Sequence, residues 1–365
     1  MRARIIAVAA LAAVPAALVA QDVQGRVVGG VEYYSVQFGT GLGVKSVSEL
    51  VAPIGVVMPI GRRFSLDAGT YLVDATRKDA SGASASISGL TDILVRGGVQ
   101  LVPDVAVLTV ALNLPTGTST LNSDQLLVAG NTATDLLPFP VTSFGSGFNA
   151  TTGLAVAVPV GGWALGAAGS FRVNGEYTPI AADSANPSPA SFKPGNEYRL
   201  RVGMDRVVGQ GRVTFGVTFS TFSHDEIGGD RLTPGKRLIT QAAWNVPVGH
   251  RMLSLYGWDV LRRADSSTTT IGVVPPSREN TVALGATLGI RTGRHMLRPM
   301  IEYRRAWRGT TSFDSYGSLF SIGARHVIAA SPRWTVTPGL RLDLGSITGV
   351  GVTGFSASVT VRAGL

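Results

Sequence analysis

The sequence predicts an all-β protein: a transmembrane, antiparallel, up-and-down β-barrel of about sixteen strands, with about fourteen as the alternative. Three observations carry this. The first is periodicity, seen most clearly at 351–365. There Phe355, Ala357, Val359, Val361, Ala363 and Leu365 are apolar, while Ser356, Ser358, Thr360, Arg362 and Gly364 are polar or small. A period of 2 gives a strand with one greasy and one wet face. The second is a mean hydropathy of +0.25 with no apolar run after residue 20 near the ~18–20 residues of a spanning helix. The third is a regular exchange of tight turns and longer loops, the pattern of outer-membrane barrels.

The chain begins with Arg2 and Arg4, an apolar Ala-rich stretch from Ile5 to Val19, and the small residue Ala20. Residues 1–20 are expected to be a secretory signal, leaving 21–365 as a single barrel domain. Pro15 interrupts the run, which argues against an anchoring helix. The first strand is expected near 30–38 and the last at 351–365, closing on each other with both termini periplasmic. Tight turns are expected at Pro59–Arg63, Val102–Asp104, Pro159–Trp163, Gly209–Arg212, Pro247–Arg251, Thr292–His295 and Ser331–Trp334. Their Pro and Gly residues suit short hairpins. Longer connections are expected near 39–49, 75–90, 116–150, 178–195, 225–235, 265–278, 309–314 and 346–350.

Between them, several strands alternate cleanly. Val213, Phe215, Val217 and Phe219 oppose Arg212, Thr214, Thr218 and Ser220. Ile93, Val95, Val99 and Leu101 oppose Asp92, Arg96 and Gln100. In 251–264, Leu253 and Leu255 compete with Tyr256 and Trp258 for the outer face. A soluble sandwich would not need every strand to be long. A secreted chain of such strands implies the outer membrane of a Gram-negative bacterium, with outer-membrane lipid, lipopolysaccharide and the barrel-assembly machinery as partners.

The net charge is +9 and there is no Cys. The first raises nucleic acid, but the arginines are scattered through alternating strands rather than clustered on a patch, so no nucleic-acid partner is expected. The second removes disulfide and thiolate chemistry. Metal-ligand spacing is absent, and no cofactor is expected. The Gly39–Ser46 stretch superficially matches a phosphate loop but has Val44 where the second Gly should stand. His224 beside Ser223, Asp225 and Glu226 is the one site where a rim hydrolase is conceivable. Neighbouring strand residues point to opposite faces, so no catalytic residues and no enzyme are expected.

The outlier is the loop from Pro115 to Asn149, long and oddly apolar. Ser123 is placed to cap a short helix over 124–129. A loop this greasy should not stand in water. One reading folds it over or into the barrel mouth as a capture site for small hydrophobic molecules, with Leu126, Leu127, Leu137, Phe139, Phe144 and Phe148 as ligand-binding residues. The other is a self-packed lid, or packing against other loops or lipopolysaccharide acyl chains.

The predicted lumen carries Arg96, Arg199, Arg201, Arg237, Arg298, Arg304 and Arg341, with Asp67, Asp92, Asp205, Glu302 and Asp343. Two readings stay open: an electropositive channel preferring anions, or an interior cross-linked by paired charges. Tyr33, Tyr34, Trp163, Tyr198, Trp244, Tyr303, Trp307 and Trp334 near strand ends are expected to form interface girdles.

The segments Ser88-Gly89-Leu90-Thr91-Asp92, Val102-Pro103-Asp104 and Leu112-Asn113-Leu114-Pro115-Thr116-Gly117 resemble a recurrent part of outer-membrane hydrophobic-compound transport barrels. These are the aromatic-hydrocarbon and phenol-degradation-pathway barrels, distantly similar to fatty-acid uptake channels. The resemblance spans residues 50–175 by local motifs. It implies passive uptake of small hydrophobic compounds, captured by the apolar loop 116–150. The alternatives are a general or anion-preferring porin using the lumen arginines, or a structural or surface-binding barrel without transport. Two features depart from that family: an N-terminal plug with an Asn-Pro-Ala motif is missing ahead of the first strand, and Leu365 stands where an aromatic is usual.

Overall fold

The computed structural model describes residues 25–182, 189–269, 272–310 and 312–365; the expected signal at 1–20 lies outside them. The strands are β1 (Arg26–Phe38), β2 (Val44–Ile60), β3 (Phe64–Asp79), β4 (Ser84–Leu90 continued by Ile93–Val102), β5 (Ala106–Leu114) and β6 (Asn149–Val160). They continue as β7 (Trp163–Asn174), β8 (Glu197–Val208), β9 (Gly211–Phe222), β10 (Lys236–Val248) and β11 (Arg251–Ala264). The last five are β12 (Ser277–Thr292), β13 (His295–Gly309), β14 (Asp314–Ala329), β15 (Trp334–Ile347) and β16 (Val350–Gly364). The two segments of β4 share one place beside β3, so the 17-stranded sheet makes a barrel of 16 strands. Each strand pairs antiparallel with the next, and β16 pairs with β1 from Phe38↔Val352 to Arg26↔Gly364. Closure leaves the sheet without a free edge.

The predicted turns all lie on one rim. Between β6 and β7 the turn is only Gly161 and Gly162, with φ of 55° and 82°. A two-residue hairpin of this hand needs positive φ at both positions, which glycine adopts without strain. The long connections form the other rim. Short strands Asp225–Ile227, Asp230–Leu232 and Phe192–Lys193 join in a small sheet there.

Over most of the wall, outward residues are apolar. Leu200, Leu284, Leu340 and Leu344 are 56%, 61%, 61% and 57% exposed. A surface this greasy all around suits hydrocarbon rather than water. No helix among the described residues is long and apolar enough to cross a membrane; the strands cross instead. In β11, Tyr256 and Trp258 face inward, where Tyr256 bonds Glu302 at 2.9 Å and Arg304 stacks over Trp258. Leu255 takes the outer face.

The upper ends of β1–β4 invert the pattern. Val36, Val47, Val51, Ala75 and Ile87 are buried on the inner face, while Ser84, Ser86 and Ser88 stand exposed outside. The expected loops at 39–49 and 75–90 are therefore largely strand: β2 begins at Val44, β3 runs to Asp79, and β4 starts at Ser84. Beyond the apolar belt the outside faces water, so polar residues turn outward there. Tyr34 departs from the girdle expectation in the same way: it is fully buried inside, while Tyr33 is 40% exposed.

Candidate functional site

The inner core under those inverted strands is the long loop, which folds into the barrel. Helix α1 (Ser123–Thr132) is one turn longer than expected, and its cap is Asn122 rather than Ser123. The Gln125 N–H donates to Asn122 Oδ1 at 2.9 Å, and the Asn122 N–H donates to Gln125 Oε1 at 3.1 Å. This reciprocal box fixes the helix start. Leu121, Val128, Val141 and Phe144 then pack on Val51, Val73, Ala75 and Ile87 of β2–β4. Leu136, Leu137 and Phe139 pack on Tyr34, Val36, Leu319, Ile347 and Val352 of β1 and β14–β16. Phe139 meets Tyr34 edge-on with ring centroids 4.8 Å apart. Each such buried side chain contributes roughly 1.5–3 kcal/mol, so the loop is a built part of the interior.

The loop is tied down by carboxylates. Between the halves of β4, Thr91, Asp92 and Ile93 lie across from only Thr70 and Tyr71, because Leu90 pairs with Leu72 and Leu94 with Gly69. This bulge switches which parity faces inward and aims Asp92 into the barrel. Asp92 Oδ1 accepts the Gly117 N–H at 2.9 Å. Its Oδ2 accepts the Ser146 N–H at 2.7 Å and Asn113 Nδ2 at 2.6 Å. Thr116 Oγ1 donates to the Thr91 carbonyl at 3.1 Å and accepts the Ile93 N–H at 3.0 Å. The two ends of the loop meet at this one carboxylate. A Cβ on Gly117 would overlap the Phe144 carbonyl oxygen, so only glycine fits that approach. Farther along, Glu49 Oε2 accepts the Val141 N–H at 3.2 Å. Asp135 pairs with Arg262, and its carbonyl accepts from Arg304 at 3.3 Å.

The apolar clusters of the loop rest on β1–β4 and β13–β16. The inner face of β7–β10 is different. Arg172, Arg199, Arg201 and Arg237 gather there around Glu197, which is 5% exposed. Arg199 Nη2 and Arg237 Nη2 donate to Glu197 Oε1 at 2.8 and 2.9 Å. Arg172 lies opposite Glu197 in the register, and Arg201 lies opposite Thr218. Two guanidiniums, those of Arg199 and Arg237, therefore hold the Glu197 carboxylate, and Arg172 and Arg201 add charge beside them. On the same wall Arg212 pairs with Asp205; elsewhere Arg96 pairs with Asp67, Arg341 with Asp343 at 2.7 Å, and Arg304 with Glu302 at 2.8 Å, while Arg298 and Arg325 stand opposite each other. A cavity of about 810 Å³ lies inside the barrel between these regions, lined by Asp67, Asp92, Arg96, Asn113, Arg172 and loop residues 140–143, 145 and 146.

The sequence-predicted residues are thus distributed as follows. Arg96, Arg199, Arg201, Arg237, Arg341, Asp92, Asp205 and Asp343 all face the interior, Asp92 as the loop anchor and Asp343 fully buried. Leu137, Phe139 and Phe144 are buried at 4%, 6% and 3%, and Leu126 packs at the edge of the second cluster. Leu127 is 49% exposed on α1. Phe148, 48% exposed, precedes the inward Asn149 and so has the outward parity of β6. Arg172, Glu197, Arg262 and Asp135 are interior residues not expected from the sequence; the alternation of their strands marks the first three as inward. Ser223 and Asp225 serve the rim, accepting the Asn196 and Gly195 N–H groups at 2.8 and 2.6 Å. The Gly39–Ser46 segment is a rim turn running into β2.

A closed barrel of sixteen strands with an apolar outer belt defines an outer-membrane β-barrel, resident in the bacterial outer membrane. No protein-family model and no curated protein matches the chain. Among solved structures, it is similar to the high-pH structure of OprB from Pseudomonas putida, with 9% identity over 93% of this chain and 94% of that one and a TM-score of 0.49. It is also similar to an anion-selective porin from Comamonas acidovorans, with 14% identity over 94% and 99% and a TM-score of 0.44. A third is the CymD monoaromatic hydrocarbon channel, with 11% identity over 94% and 88% and a TM-score of 0.43. These likenesses concern the fold alone.

Proposed function

We propose that the protein is a passive diffusion channel, with its long-loop rim outward and both termini periplasmic, narrowed by the inserted loop and preferring small anionic solutes. The observation that supports this best is the basic wall of β7–β10, where five inward arginines, Arg172, Arg199, Arg201, Arg212 and Arg237, stand against two carboxylates, Glu197 and Asp205. In a lumen of low effective dielectric, fixed positive charge lowers the barrier for anions and raises it for cations. The loop contributes by filling the opposite side, so solute passes along the basic wall. Reconstitution in a planar bilayer under a KCl gradient tests the reading: a reversal potential set by chloride is expected.

A second reading is uptake of small hydrophobic compounds, and Leu127 supports it. This side chain stands half-exposed on the helix of the inserted loop, whereas Leu137, Phe139 and Phe144 are already packed on the wall. Uptake of an aromatic probe into liposomes that is lost in Leu127→Ser, with unchanged chloride selectivity, favours this reading over the first. In either case, insertion by the barrel-assembly machinery is part of the proposal.

A further inference from the structure

The outer face of β10–β12 carries a row of cations that the channel does not use. Arg237, Arg262 and Glu279 face inward, where they pair with Glu197, Asp135 and Arg308. Their sequence neighbours Lys236, Arg263 and Arg278 therefore face outward. The register sets Lys236 directly opposite Arg263, and Arg263 directly opposite Arg278. Opposed residues of this kind lie ~4.5–5.5 Å apart, where like charges repel. Among the described residues, neither Lys236 nor Arg263 has a carboxylate within ion-pair distance.

The row also stands over a hydrophobic floor. Leu238 pairs with Leu261 and with Phe219, all on the outward parity. Together with Lys236 and Arg263 they line a recess of about 380 Å³ at the long-loop rim. Two carboxylates lie near it. Asp265 lines the recess from the loop side. Asp259, farther along β11, accepts Asn280 Nδ2 at 2.6 Å. Cations at the rim, with apolar side chains immediately toward the membrane centre, match an amphiphile with an anionic head and acyl tails.

We propose that this face holds the phosphate-bearing head group of an outer-leaflet glycolipid of the lipid A type. Its phosphates lie across Lys236, Arg263 and Arg278, and its acyl chains lie over Phe219, Leu238 and Leu261. A phosphate suits the row because charge-assisted hydrogen bonds to the opposed Lys236 and Arg263 relieve their repulsion. The proposal rests on the orientation given above, with the long-loop rim facing the outer leaflet, and not on what the channel carries.

The test is native mass spectrometry of the full, folded protein in detergent with added bisphosphorylated lipid A. The variants are Lys236→Ser with Arg263→Ser, and Arg206→Ser as a control. Arg206 is an outward cation at the opposite rim, 5.2 Å from the Trp163 ring. Retention of heat-modifiable migration shows that each variant has folded. The expected result is one lipid A retained by the wild type and the control, with apparent Kd raised at least tenfold in the double variant. Equal retention in all three overturns the site, as does an equal loss in the control. Displacement by inorganic phosphate at concentrations that leave acyl contacts intact reassigns the row to free phosphate and overturns the lipid proposal. Labelling of Ser312→Cys by an impermeant reagent on whole cells is expected; failure of that label overturns the orientation and this site with it, while the bilayer conductance test stands separately.

Discussion

The carboxylate of Asp92 accepts the backbone N–H of Gly117 at 2.9 Å, and the same group accepts that of Ser146 at 2.7 Å. One side chain thereby closes the neck of the whole loop. The pair also joins the two sequence motifs that first stood out, Ser88–Asp92 and Leu112–Gly117. Their meaning in this fold is mechanical: they seat the loop.

Asp92→Ala is expected to loosen that neck without opening the barrel. Hydrogen bonds to a charged acceptor are worth about 1.5–3 kcal/mol each, so losing two backbone contacts raises local opening by tenfold or more. Hydrogen exchange of the Gly117 and Ser146 amides should quicken accordingly, while amides of β14–β16 stay protected. Unchanged exchange at both amides contradicts the anchor role.

Phe139→Ala removes a ring that is 6% exposed and edge-on to Tyr34. Truncating a buried Phe costs about 3–5 kcal/mol. The cost falls on the docking of the loop, since the barrel ladder does not pass through Phe139. Chymotrypsin should then cut the variant between residues 121 and 148 and leave the wild type whole. Equal resistance would mean the apolar contacts do not hold the loop.

Gly117→Ala places a methyl against the Phe144 carbonyl oxygen. The loop end must shift, so the variant should share the exchange phenotype of Asp92→Ala and show noisier single-channel current. A quiet, wild-type trace would indicate that the neck tolerates displacement.

Much of the barrel was legible because lipid forces a period of 2 with a constant greasy side. The tight turns announced themselves through Pro and Gly. The upper ends of β1–β4 were not legible, because there the greasy side is inside: Val47, Val51, Ala75 and Ile87 pack on the loop while Ser84, Ser86 and Ser88 face out. A strand whose parity inverts partway reads as a loop when only one pattern is sought. The apolar content of 116–150 signalled burial correctly. It could not say whether Leu137 and Phe139 would meet a ligand or the barrel wall, since both reward the same residue type. Arg172 and Glu197 became a cluster only once β7 and β8 were placed in register.

Arg201→Glu is expected to weaken or reverse anion preference. Arg201 has no ion-pair partner among the described residues, so the change adds a carboxylate to the basic wall without orphaning a partner. Selectivity should also fade as salt rises, because the screening length shrinks from ~10 Å at 0.1 M to ~3 Å at 1 M. Bilayer measurements at both salts check this; selectivity indifferent to Arg201 would move the path away from β7–β10.

The most direct measurement is the zero-current potential of the wild-type protein in a planar bilayer across a tenfold KCl gradient at low salt. A stable conductance with the potential drawn toward the chloride equilibrium value is the predicted result. A cation-selective pore, or a folded barrel that conducts no ions at all, contradicts the assignment of the basic wall as the path.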